Sequence, residues 1–168
     1  IQPDPSAAAA ALMALQGRTG PDVVAATLEH LDAAHAPLRA AAAEVAGQLD
    51  LSDADAARIC AVITNRMLIE KSAMVLAALA AAAQRIEGPE ILEPLLGLAG
   101  HADDRVREGV VFGLMGREDG PCVAALVRLS GDAAEDVRTW ATCALGAHTE
   151  ADDDVVRAAL VARLTDPS

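Results

Sequence analysis

The chain has 168 residues with 25 acids against 13 bases, a net charge of −12, and is 53% hydrophobic but only 1% aromatic. That length suits one sizeable domain, and no uninterrupted apolar run reaches the roughly 18 residues of a transmembrane helix. The acids are spread along the whole chain and no window is basic, which argues against a direct nucleic-acid binder, because such a protein needs a basic patch.

In chain order, Ile1 to Ser6, with Pro3 and Pro5, reads as an extended lead-in. The alanine-rich residues 7–15 are expected to form a first helix that ends near Gly17. No basic stretch precedes this apolar segment, so a signal peptide is not supported. Thr19-Gly20-Pro21-Asp22 reads as the cap of a second helix, with Pro21 in its first turn, where a missing N–H costs nothing. That helix runs to about residue 33, with Val24, Leu28 and Leu31 on one side. Pro37 starts a third helix reaching about residue 49, and Ser52-Asp53-Ala54-Asp55 caps a fourth. From there to Arg85 neither Gly nor Pro occurs. A break is placed near Glu70 to Ser72, because a single helix through this stretch would be unusually long. Gly88-Pro89 separates the fifth helix from the sixth. Ala and Leu favour helices, and no segment alternates β-branched with polar residues at period two. The expected class is all-α, with about ten helices in five hairpins.

From residue 91 to 164 the chain repeats itself. Leu95 and Leu98 recur as Leu126 and Leu129, Gly100 as Gly131, Val106-Arg107 as Val137-Arg138 and Leu114 as Leu145, every pair 31 apart. Within one unit, residues 121–130 form a short helix with Pro121 in its first turn. Residues 132–146 form the second, with Asp132 and Glu135 at capping-box spacing, an apolar stripe of Val137, Ala141 and Leu145, and Gly146 as a stop. Two short helices cannot bury both stripes alone, whereas stacking on the next pair buries them.

The pattern of Asp132, Val137, Arg138, Leu145 and Gly146 resembles a HEAT repeat of the short bacterial type. The earlier copy keeps Val106, Arg107 and Leu114 but has His101 at the aspartate position. The resemblance covers roughly residues 73–168, with 1–72 read as degenerate or capping repeats, the other reading being a distinct N-terminal helical bundle. It implies a right-handed α-solenoid, most often a protein-binding one, and in such arrays arginines like Arg107 and Arg138 join ladders between repeats with aspartates. Asp166-Pro167-Ser168 reads as the opening of another, truncated copy. Val156, Leu160 and Leu164 would then lack a covering neighbour, and this end is expected to be open to self-association.

The residues of types that carry chemistry point to no reaction. His30 and His35 are five apart, whereas a metal pair on one helix face prefers four. His148 is not part of a His-Glu pair, so the di-iron deoxyhypusine hydroxylase activity found on HEAT-like repeats is not expected. Asp152-Asp153-Asp154 lacks the spaced ligands and glycine of a calcium loop and reads as complementing a helix dipole. Cys60, Cys122 and Cys143 are expected as small buried thiols in a reducing cytoplasm. Trp140 sits beside the stripe and is expected in the core, the other reading being a binding hot spot. No metal, cofactor or enzymatic activity is expected. The leading function is a cytoplasmic protein-interaction scaffold whose second helices offer Glu90, Glu93, Arg128, Arg157 and Arg163 to a basic protein or peptide. An inhibitor or immunity protein for a basic toxin is a sharper form. A HEAT-like bilin lyase or DNA glycosylase is the catalytic alternative.

Overall fold

A computed structural model describes residues 5–165 apart from Gly17, Thr19 and Glu87. The expectations placed on Ile1 to Asp4, on Gly17, on Thr19 and on Asp166 to Ser168 lie outside the described residues, and the expected extended lead-in is corrected at Pro5 and Ser6, which open the first helix. Among the described residues there are ten α-helices and no strand. They are α1 (Pro5–Met13), α2 (Pro21–Leu31), α3 (Ala36–Ala46), α4 (Asp53–Ile69), α5 (Ala73–Ala82), α6 (Leu92–Gly97), α7 (Asp104–Leu114), α8 (Gly120–Leu129), α9 (Glu135–Ala147) and α10 (Asp154–Arg163). Short 3-10 turns, Pro89–Ile91 and Leu98–Gly100, extend α6 at either end. No helix among the described residues is long and apolar enough to cross a membrane.

The break between α4 and α5 falls at Glu70 to Ser72, where expected, and its cause is visible. Glu70 leaves the helix with an extended backbone, φ −69° and ψ 144°. Its Oε1 then accepts the N–H groups of Lys71 and Ser72, both at 2.9 Å, satisfying donors that the interrupted helix leaves open. The Ser52 hydroxyl accepts the Asp55 N–H at the start of α4. At α9 the expected capping box is replaced. The helix begins at Glu135 with Ala134 as its cap, and Asp132 accepts the Ala134 N–H at 2.9 Å. Asp132 has a second duty, described below, that draws it out of the cap.

The helices stack in two layers. The odd-numbered helices pack α1 on α3, α3 on α5, α5 on α7 and α7 on α9, and the even-numbered ones form the second layer. Helix α1 packs on α3 rather than pairing with α2, so the hairpins are α2–α3, α4–α5, α6–α7 and α8–α9, with α1 and α10 as single helices beside them. This is an α-solenoid, with one continuous core between the layers. Val106, Val110, Leu114, Val137, Ala141 and Leu145 are all buried in it.

The odd layer is the tighter one. A Cβ added to Gly109 would lie 2.4 Å from the Ala77 carbonyl oxygen, and one added to Gly113 would lie 2.3 Å from that of Ala80. Helices α5 and α7 therefore meet backbone to backbone, through glycine and alanine. The even layer is spaced by Leu and Ile side chains such as Ile91, Leu95 and Leu126.

Helix α10 belongs to the even layer and packs on α8 and α9. Val156 is buried and Leu160 half-buried, while Leu164, Val155 and Val161 are exposed. The expected bare stripe is thus only partly bare, and it includes two valines that the repeat register did not mark.

Candidate functional site

Arginines tie the odd layer together at its N-terminal edge. Arg107 of α7 donates from Nε and Nη2 to the two carboxylate oxygens of Asp132, each at 2.7 Å. Its Nη1 reaches the carbonyls of His101 and Ala102. Arg138 makes the same reach one repeat on, to the carbonyls of Asp132 and Ala133, both at 3.0 Å. Arg39 of α3 makes it too, to Ala33 and Ala34, and grips Glu70 with Nε and Nη2. Rigid guanidinium forks suit such two-point contacts. The bonds from Arg39 hold the Glu70 carboxyl down to about 2, and those from Arg107 hold Asp132 below the ordinary carboxylate range. Residues 1–72 thus contribute an arginine with the geometry of the later repeats, although no Val-Arg pair marks it.

The outer face of this layer carries an unusual set of side chains. Phe112 of α7 and Trp140 of α9 are in contact, with ring centroids 5.1 Å apart and planes tilted by 56°. Trp140 is 40% exposed, so its expected place in the core is corrected. The stripe of α9 is narrow: Val137, Ala141, Ala144 and Leu145 face inward, and Trp140 stands at its outer margin. Beside the rings runs a shallow depression of about 240 Å³ over α3, α5 and α7, lined by Glu44, Met74, Ala77, Ala81, Glu108 and Phe112 among others. A second hollow of about 210 Å³ continues it between α3 and α5. Its floor is alanine, so an approaching chain comes close to the helix backbones.

The electrostatics of this face are lopsided. Arg105, the cation lining the depression, is bound by Asp103 through two hydrogen bonds of 3.0 and 2.7 Å. Glu44, Glu108 and Asp136 have no ion-pair partner among the described residues. Burial, together with the charges of Asp136 and Asp104, pushes the Glu108 carboxyl above its ordinary value. Like charges left facing one another favour a cation between them.

The five residues that the repeat register offered to a partner all fall on the other layer. Glu90 lies in the turn before α6, Glu93 on α6, Arg128 on α8, and Arg157 and Arg163 on α10. Glu90 and Glu93 share a hollow of about 640 Å³ with Thr64, Met67, Leu68 and Leu98. Arg157 is engaged by Asp152 and Asp154. Asp153 accepts the Val155 and Val156 N–H groups as the cap of α10. All three consecutive acids are therefore occupied within the chain. Cys60 and Cys122 are buried, and burial pushes both thiols up, away from the reactive thiolate form. Among the described residues, no group of three or more His, Cys, Asp or Glu is placed to hold a metal ion.

No protein-family model matches the sequence, and neither does any curated protein. Solved structures do match. YibA of Escherichia coli superposes with a TM-score of 0.77 at 26% identity, covering 94% of this chain and 58% of that one. The complex of CpcE and CpcF of phycocyanin lyase from Nostoc sp. PCC7120 gives a TM-score of 0.57 at 20% identity, covering 83% and 98%. The chain therefore spans somewhat more than half the length of YibA. These likenesses support a HEAT-like helical family.

Proposed function

We propose that the chain is a non-catalytic protein-interaction module that takes a basic protein or peptide on the outer face of α3, α5, α7 and α9. The observation that carries this reading is the placing of its aromatics. The chain has one Phe, one Trp and no Tyr, and the two rings sit together on that face rather than in the core. Exposed aromatic anchors are typical of binding hot spots. Glu44, Glu108 and Asp136 around them, which have no ion-pair partner among the described residues, supply charge complementarity, which sets both association rate and partner choice. One of the structural relatives is itself a complex of two proteins, which is consistent with this use of the fold. An inhibitor of a basic toxin is the sharper form of the same reading, supported by the net charge of −12.

The test is calorimetric titration with a lysine- and arginine-rich peptide at low and at physiological salt, beside a peptide of reversed charge. The basic peptide should bind with micromolar affinity and weaken as salt rises, and the acidic one should not bind. Equal binding of both, or none, would contradict the reading. The likeness to a phycocyanin lyase complex is at the level of fold, and incubation with a bilin chromophore and its acceptor protein is expected to give no transfer.

A further inference from the structure

We infer that the Phe112–Trp140 pair, flanked by Glu108 and Asp136, is the seat of one arginine side chain of the partner. This rests on the reading above, that the face binds a basic segment, and adds where that segment is anchored and by which residue. Glu108 stands four residues before Phe112 on α7, and Asp136 four before Trp140 on α9, so each carboxylate shares its ring's helix face. The two helices are neighbours in the odd layer, and the rings touch at 5.1 Å between centroids. The result is a tilted aromatic surface with two carboxylates one helical turn away. An aromatic face attracts a cation, and the carboxylates accept its N–H groups.

Among the described residues, the neighbouring cations are engaged elsewhere. Arg105 is held by Asp103, Arg107 by Asp132, and Arg138 reaches back to the Asp132 and Ala133 carbonyls. Arginine fits better than lysine, because a planar guanidinium stacks on a ring and offers a fork of donors to carboxylates at the same time. Beyond the anchor, the alanine floor at Ala77 and Ala81 leads past Met74 to Glu44 on α3. That path crosses three helix spacings of ~8–10 Å, the reach of an extended segment of roughly eight residues.

Trp140 is the only tryptophan, so its fluorescence reports on this seat directly. The experiment titrates the full chain with an arginine peptide and a lysine peptide of about eight residues each, matching the groove span, following Trp emission and heat together. The arginine peptide should change the emission saturably and bind at least ~5-fold more tightly than the lysine peptide. The double variant Glu108→Gln, Asp136→Asn should lose ~10-fold or more in arginine-peptide affinity, and Trp140→Leu should lose the arginine preference. Asp136 and Trp140 are exposed and Glu108 is half-buried, and either variant alone decides the matter if the other folds poorly. Binding heat with no change in emission, undiminished in both variants, would overturn the arginine seat while leaving the basic-partner function standing. Absence of binding by either peptide would overturn both.

Discussion

Arg39 and Glu70, 31 residues apart, close on each other through two hydrogen bonds, Nε to Oε2 at 2.7 Å and Nη2 to Oε1 at 3.0 Å. The same Glu70 carboxylate turns the chain between α4 and α5. One side chain therefore sets a helix break and ties α3 to the turn inside the next hairpin, between α4 and α5.

This pair should make folding sensitive to acid. The Glu70 carboxyl is held at about 2 against an ordinary value of 4.5, and its side chain is only 4% exposed. A depressed folded value means the contribution is complete above about pH 5 and is lost as pH falls from there to about 2. Its size is on the order of 3 kcal/mol. Urea unfolding at pH 7, 4 and 3 should show that decline in the natural chain and a flatter one in Glu70→Gln. Parallel declines in the two proteins would refute the assignment.

The close approach of α5 and α7 reverses the usual effect of glycine replacement. Gly→Ala inside a helix ordinarily gains about 1 kcal/mol. At Gly109 the new Cβ meets the Ala77 carbonyl, and Gly109→Ala should cost about 1–3 kcal/mol net of that gain. Gly97 has nothing within 4 Å of the same position, so Gly97→Ala should be neutral or stabilising. Melting temperatures of the two variants decide this, and two shifts of the same sign would contradict the described packing.

Leu145 and Trp140 sit five residues apart on α9 with opposite roles. Leu145 is buried between the layers, and Leu145→Ala should lose ~2–5 kcal/mol. Trp140→Ala removes an exposed ring in contact with Phe112 and should lose only about 1 kcal/mol. Chemical denaturation measures both. A Trp140 loss as large as the Leu145 loss would put that ring back in the core.

The stacked-hairpin architecture was legible because the recurrence from Leu95 to Leu145 fixes both the helix period and the register of burial. The glycine-free run before Arg85 even yielded its break, since chain length alone forced one near Glu70. What spacing does not reveal is which helix of a hairpin joins which layer. Glu90, Glu93, Arg128, Arg157 and Arg163 were therefore assigned to second helices, although they stand on the even layer. Trp140 was misplaced for a related reason: its neighbours Val137, Ala141 and Ala144 are small, and the stripe they make is too narrow to take a large ring. Phe112 and Trp140 meet only in three dimensions, because the repeat register aligns Phe112 with Cys143. A usable signal was present in the composition, where a chain with two aromatic residues invites the question of where both are kept. Arg39 was missed because Leu38 precedes it in place of the valine of the Val-Arg pairs.

We propose that the odd layer, not the even one, carries the partner. Methyl and amide chemical-shift mapping with the basic peptide tests it most directly, since the two layers have separate reporters. Shifts are expected at Met74, Ala77, Ala81, Glu108, Phe112 and Trp140, with the opposite hollow unchanged. Shifts confined to Thr64, Leu68, Glu90, Glu93 and Leu98 would contradict it.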